Sequence, residues 1–184
     1  MPPRFSHVIG IDDAPFPPTH RGDVPIIGTA FSGLRLEGIL RAKVRRDGTD
    51  STRAIAQMVS SSRFAPHTRL VVLEGISLAG FNVVDLHALH ATLGMAVLVV
   101  VKRMPDIDAV RRALLERVRG GARKWALIEK AGPMEPLGGL FVQRAGIEPA
   151  EALDVIRTLA VHGRLPEPVR VAHLVASVLA VGSA

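Results

Sequence analysis

The chain has 184 residues, 48% of them hydrophobic and 22% charged, with no cysteine and a formal net charge of +6. At that length and apolar content about 70% of the unfolded surface is buried on folding, which excludes intrinsic disorder and fits one domain over residues 1–184. Without cysteine there are no disulfides, thiolate metal sites or cysteine nucleophiles, so any metal takes carboxylate, imidazole or water ligands.

The longest apolar run, Met95 to Val101, falls far short of the about 20 residues of a membrane helix. The opening Met1-Pro-Pro-Arg-Phe-Ser-His7 lacks the apolar centre of a signal peptide, and a cytoplasmic location is expected.

In chain order, His7 to Asp12 reads as a buried strand ending in acid, and Pro15, Pro17 and Pro18 impose a loop. Val24 to Phe31 is a second strand, with Ser32-Gly33 as a hairpin turn. The third alternates, with Leu34, Leu36, Leu40, Ala42 and Val44 on one face and Arg35, Glu37, Arg41, Lys43 and Arg45 on the other. Asp47-Gly48 is a turn, and Asp50-Ser51 is placed to cap a helix carrying Ile55, Met58 and Val59.

Arg69 to Glu74 repeats the pattern of a buried strand ending in acid, before a helix with Leu86, Leu89 and Leu93 inward. Ala96 to Val101 is apolar and β-branched throughout, as in a parallel sheet covered on both faces. Pro105 opens a helix that turns Ile107, Val110, Leu114 and Val118 inward, and Trp125–Glu129 and Leu140–Gln143 read as edge strands. Helices over Pro149–His162 and Pro168–Leu179 close the chain. The expected architecture is α/β, a mixed sheet of about five or six strands flanked by helices.

Two strands end in acid, at Asp12 (followed by Asp13) and at Glu74. Carboxylates side by side at strand ends are costly unless a cation neutralises them, and oxygen ligands suit Mg²⁺ or Mn²⁺. Asp47 and Asp50 are further acids, explained equally well by a turn and a helix cap. The last helix is apolar almost all round except for the stripe Arg170, His173 and Ser177, so burial of this Arg and His calls for a carboxylate, phosphate or metal partner. His87 and His90 read as solvated. Positive charge concentrates between Val101 and Lys130, where nine Lys or Arg face four acids. Such a patch suits a polyanion or a solvated helix face.

Gly10-Ile-Asp-Asp13, Asp47-Gly-Thr-Asp-Ser-Thr52, Glu74-Gly-Ile-Ser-Leu-Ala-Gly-Phe-Asn-Val-Val-Asp85 and Leu165-Pro-Glu-Pro-Val-Arg-Val-Ala-His173 together resemble a family of small, mostly archaeal proteins related to endonuclease V, the endonuclease dU family. The resemblance spans nearly the whole chain and implies a ribonuclease H-like fold and a Mg²⁺- or Mn²⁺-dependent phosphodiesterase acting on nucleic acid, DNA foremost. By that likeness Asp12 matches the first-strand aspartate, Glu74-Gly75 the aspartate-glycine of the fourth strand, Lys102 the lysine after the next strand, and His173 the histidine of the closing Pro-Glu-Pro helix. Asp50 matches the remaining acid. Asp12, Asp50, Glu74 and His173 are thus the implied metal ligands, with Lys102 beside the phosphate. Arg41, Lys43, Arg45, Arg111, Arg112 and Arg119 are the candidates for tracking the nucleic-acid backbone. Glu74 stands where an aspartate is expected, and the Tyr-Pro-Gly and Phe-Arg-Glu wedge of endonuclease V is missing. A non-catalytic nucleic-acid- or protein-binding module of the same fold is the alternative these departures leave open.

Overall fold

The computed structural model describes residues 4–181; the ends of the chain, including Met1 to Pro3 of the opening stretch, lie outside it. Strands β1 (His7–Asp13), β2 (Asp23–Ser32) and β3 (Arg35–Arg45) form an antiparallel meander. After helix α1 (Ser51–Ser60), strand β4 (Leu70–Glu74) returns parallel to β1. A small ribbon of β5 (Ser77–Leu78) and β6 (Asn82–Val83) leads into α2 (Leu86–Leu93), and β7 (Ala96–Val101) runs parallel to β4. Helices α3 (Ile107–Arg117) and α4 (Gly121–Ala131) precede the hairpin of β8 (Glu135–Leu137) and β9 (Leu140–Ala145), followed by α5 (Pro149–Leu159) and α6 (Glu167–Ser177).

The main sheet has seven strands in the order β3-β2-β1-β4-β7-β9-β8, more than the five or six expected. The extra edge strand is β8, which pairs with β9 across Gly138 and Gly139, both at positive φ. Strand alternation sends Ile9, Ile11, Val71, Leu73, Val97 and Val99 into one core with Ile55 and Val59 of α1 and Leu86 and Leu89 of α2. The opposite parity, Val8, Leu70, Val72, Leu98 and Val100, packs on Val155, Ile156 and Leu159 of α5 and Val169 of α6. Both faces of the central strands are therefore covered, as their apolar runs require.

Several expectations need correction. Trp125 to Glu129 is not an edge strand but lies inside α4, a segment of good helix formers (Ala122, Arg123, Lys124, Ala126, Leu127) started by Gly120 in the left-handed region. Of the four side chains expected inward on α3, only Leu114 is buried and Ile107 is exposed, because that helix borders a cleft. Leu34 and Leu36 are also exposed, Leu34 lying in the turn itself, which is Gly33-Leu34. Helix α6 is buried along one side only, by Val169, Ala172 and Ala176, while Leu174 and Val178 face solvent.

Helix α6 is seated by a backbone approach. A Cβ on Gly10 would lie 2.1 Å from the carbonyl carbon of Pro168, so only glycine lets the start of α6 rest on β1. Thr29 Oγ1 donates to the Pro168 carbonyl at 2.6 Å from the neighbouring strand.

Candidate metal centre

In the parallel pairing of β1 with β4, Ile11 is opposite Leu73, so the acids that follow, Asp12 and Glu74, end adjacent strands side by side. Their parity is that of the α5–α6 face, and α6 brings His173 over them. His173 Nδ1 is 2.7 Å from Asp12 Oδ2 and 4.0 Å from Glu74 Oε2. One ligand atom from each of the three lies within 4.8 Å of the others.

Asp12 is 6% exposed. Its Oδ1 accepts the backbone N–H of Asp13 at 2.9 Å. Burial pushes its carboxyl up to about 6; the bond to His173 opposes that shift, and the charges of Asp13 and Glu74 add to it. Asp13 is raised too, chiefly by burial, although its Oδ2 accepts the Ala79 N–H at 2.8 Å. Glu74 Oε2 is buried with no hydrogen-bond partner.

An orphaned carboxylate oxygen beside a second desolvated acid and an imidazole is what a divalent cation would satisfy. Ligand atoms around an octahedral ion of about 2.1 Å bond length stand about 3–4 Å apart, so the trio needs only slight contraction to hold one. The residues fit a metal.

Asp50 is not brought to this group. It is the N-cap residue of α1 but makes no side-chain cap; its Oδ1 instead accepts Arg45 N–H at 3.1 Å and Asn82 Nδ2 at 2.6 Å. Asn82 supplies the missing cap by accepting the Ser51 N–H at 3.0 Å. Asp47 is likewise structural. It has φ 51°, accepts the Phe81 N–H at 2.8 Å through Oδ1, and receives the ammonium of Lys124 on its carbonyl. These bonds explain the Gly80 to Asp85 motif. Gly80 passes so close to Asp47 that a Cβ would lie 2.4 Å from Oδ1, while Asp85 accepts Ala88 N–H to cap α2 and pairs with Lys130 at 2.8 Å.

Arg170 does not seek the strand-end acids. It forms a two-bond pair with Glu167 on its own helix, at 2.7 and 2.8 Å. Ser177 donates to the Leu174 carbonyl, His87 is exposed, and His90 is partly buried with Nδ1 2.6 Å from the Met95 carbonyl rather than solvated.

Lys102 follows the end of β7, exposed, two residues past Val100, the register partner of Glu74. On the other flank, Asp12 is opposite Ile27 and Ile27 is opposite Arg41, so Arg41 stands in the same cross-sheet row two strands away, about 10 Å at ordinary strand spacing. Lys43 and Arg45 follow with the same parity, and Arg45 Nη1 is 3.7 Å from Asp23. Arg112 and Arg119 are exposed, and Arg111 lies over the Trp125 ring at 5.7 Å.

The sequence reading missed Asn82, Asp13's hold on Ala79, and the cleft that Trp125 and Gln143 both line. The Asn82 motif was visible as a string; its capping role was not. No helix among the described residues is long and apolar enough to cross a membrane.

A mixed sheet with acids at the ends of its first and fourth strands and a histidine on the closing helix defines the class: a ribonuclease H-like fold of the endonuclease V type. Endonuclease V from Bacillus subtilis superposes with a TM-score of 0.62 at 13% identity, over 95% of this chain and 80% of that one. The chain belongs to the endonuclease dU family, whose model matches residues 4–180. A UPF0215 protein of Deinococcus radiodurans is 54% identical over 181 residues, 98% of this chain and 92% of that protein. A crystal structure of a protein of unknown function from Archaeoglobus fulgidus shares the fold at TM-score 0.88 and 32% identity, covering 96% of this chain and 99% of that one.

Proposed function

We propose that the protein is a metal-dependent endonuclease that hydrolyses phosphodiester bonds in nucleic acid, DNA foremost, at damaged or deaminated bases. The observation that carries this reading is the convergence of Asp12, Glu74 and His173, with Glu74 Oε2 left unsatisfied. An endonuclease V of the same fold, from Ciona intestinalis, has been crystallised with DNA containing an inosine, at TM-score 0.57 and 12% identity over 91% of this chain and 82% of that one.

Asp12 and Glu74 would hold Mg²⁺ or Mn²⁺ with His173 as a third ligand or as the proton carrier. A bound divalent ion polarises the phosphoryl group, acidifies the attacking water and stabilises the leaving alkoxide. Asp12 orients the imidazole through Nδ1, which leaves Nε2 to pass a proton to the leaving oxygen. Asp13 fixes the Asp12 carboxylate from behind through its backbone N–H. Lys102 would set its ammonium against the phosphate as charge builds. Arg41, Lys43 and Arg45 on one flank and Arg111, Arg112 and Arg119 on the other would grip backbone phosphates and contribute affinity without sequence preference. Asp50 is left out of the ligand set, because it stands at the start of α1 with its Oδ1 holding Asn82 and Arg45, outside the group that Asp12, Glu74 and His173 form.

The test is cleavage. The full chain is incubated with Mn²⁺ and end-labelled DNA and RNA, either plain, nicked, uracil-containing or inosine-containing. Strand scission lost in Asp12→Ala and Glu74→Ala supports the reading; no scission of any substrate beyond the level of Asp12→Ala overturns it.

A further inference from the structure

One free edge of the main sheet is β3, a strand of 11 residues. Successive residues of a strand aim their N–H and C=O groups at opposite edges. The Arg46 N–H donates inward, to the Gly22 carbonyl at 3.1 Å, whereas Arg45 turns the other way. Its N–H donates to Asp50 Oδ1 at 3.1 Å, and its carbonyl accepts Asn82 Nδ2 at 2.9 Å. Lys43, Arg41 and Ile39 share the parity of Arg45, so their backbone groups point outward as well, and no hydrogen bond from the described chain reaches them.

A groove of about 360 Å³ runs beside this row, between β3 and α1. Ala42 on the strand and Ala54 on the helix line it, and two side chains this short leave the space open. Arg41, Lys43 and Arg53 line it too, against a single acid, Asp50, whose Oδ1 already holds Arg45 and Asn82. A strand edge set with cations repels a second copy of itself. It attracts an acidic strand instead. A phosphate backbone brings acceptors alone, whereas a row of outward donors and acceptors is matched by another polypeptide strand.

We propose that β3 takes an extended acidic segment of a protein partner as an eighth, antiparallel strand of the sheet. Its acids lie over Arg41 and Lys43, and its alternate, aliphatic side chains enter the groove against Ala42, Ala54 and Met58. Arg45 shows the chemistry within the chain itself: a carboxylate and an amide complete its outward groups, and the partner strand continues the row. Ile39, 51% exposed, gives the row an apolar end. Main-chain bonds supply affinity in such an addition, and alternate side chains supply specificity. The metal centre takes no part in it. Because Arg41 and Lys43 also belong to the proposed phosphate grip, a bound segment competes with nucleic acid for that flank.

The probe is a fluorescein-labelled peptide, Glu-Glu-Val-Glu-Val-Leu-Thr, titrated with the full chain and read by anisotropy. Two further peptides are N-methylated, one at the glutamates that face Lys43 and Arg41, the other at the valines. Antiparallel pairing turns those glutamate amides toward β3 and the valine amides away, while all three peptides carry the same charge. The unmodified peptide should bind saturably, the valine-methylated one within a few-fold of it, and the glutamate-methylated one about tenfold more weakly. Arg53→Glu lies at an exposed position in the first turn of α1, where an acid suits the helix. It should weaken binding of the unmodified peptide by about tenfold without lowering the melting temperature. Absence of saturable binding overturns the inference. So does equal binding of the two methylated peptides, the signature of a polyanion surface for nucleic acid. Scission of DNA in Mn²⁺ decides the phosphodiesterase reading separately, whichever way the peptides behave.

Discussion

His173 and Asp12 are 161 residues apart and joined by a 2.7 Å contact, which ties the final helix to the first strand at the point where Glu74 ends the neighbouring one. A buried carboxylate, Asp12, and a partly buried one, Glu74, thereby face a single imidazole. Most measurable properties of the site follow from that imbalance.

Removing one charge should stabilise the metal-free protein. A carboxyl held near 6 against an ordinary 3.8 opposes folding at neutral pH by an amount on the order of 2–3 kcal/mol. Asp12→Asn should therefore raise the melting temperature of the metal-free chain at pH 8 by several degrees while abolishing saturable Mn²⁺ binding. Calorimetry reads both quantities. A melting temperature below that of the wild type would contradict the charge imbalance.

The pH profile follows with a definite sign. Between about 4 and about 6 the folded chain keeps a proton on Asp12 that the unfolded chain has lost, so this group makes metal-free stability fall as pH rises through that window. A metal needs the carboxylate, so Mn²⁺ affinity should rise over the same range. Melting curves with and without Mn²⁺ should diverge above pH 6, and Asp12→Asn should erase the divergence.

Glu167 should behave in the opposite way. The Arg170 guanidinium, with His162 in support, lowers its carboxyl to about 2 from an ordinary 4.5. Its stabilising contribution is complete above pH 4.5 and is lost as pH falls toward 2. Glu167→Gln should lower the melting temperature at pH 7 by a few degrees and flatten the acid limb of the stability curve, with Mn²⁺ affinity at pH 7 unchanged.

Gly10→Ala forces a methyl group against the Pro168 backbone, which cannot yield as a side-chain tip would. We expect a loss of about 3 kcal/mol in urea denaturation. Where α6 lifts to relieve the clash, His173 goes with it, so Mn²⁺ affinity should fall together with stability.

Asp50→Ala separates structure from metal binding. Loss of its bonds to Arg45 and Asn82 should cost about 1–2 kcal/mol, leaving Mn²⁺ affinity within a few-fold of the wild type. A collapse of affinity with stability intact would return Asp50 to the ligand set.

The strand-end acids were legible because burial leaves a strong mark: an apolar run cut off by Asp12, and another by Glu74, implies strands that stop where the chain can meet a ligand. The closing histidine was legible through its stripe on α6. Its degree of exposure was not, since helical periodicity does not reveal how far a helix overhangs the sheet; the His173 side chain is 63% exposed. Trp125 was misread because an aromatic beside Ala, Leu and Ile scores as strand until the Gly120 start and the neighbouring α3 impose a helix. Asp50 and Asn82 show a further limit. An acid before a helix looks like its cap, and only the fold reveals that a residue 32 positions away does the capping while the acid supports it.

Because its third member rides on α6, the acid cluster cannot be completed locally or early. A growing polypeptide carries Asp12 and Glu74 long before it carries His173, and the imidazole arrives only when the last helix closes over Gly10. Nuclease chemistry of the proposed kind would be withheld from nascent and C-terminally clipped molecules by assembly order alone, without an inhibitor.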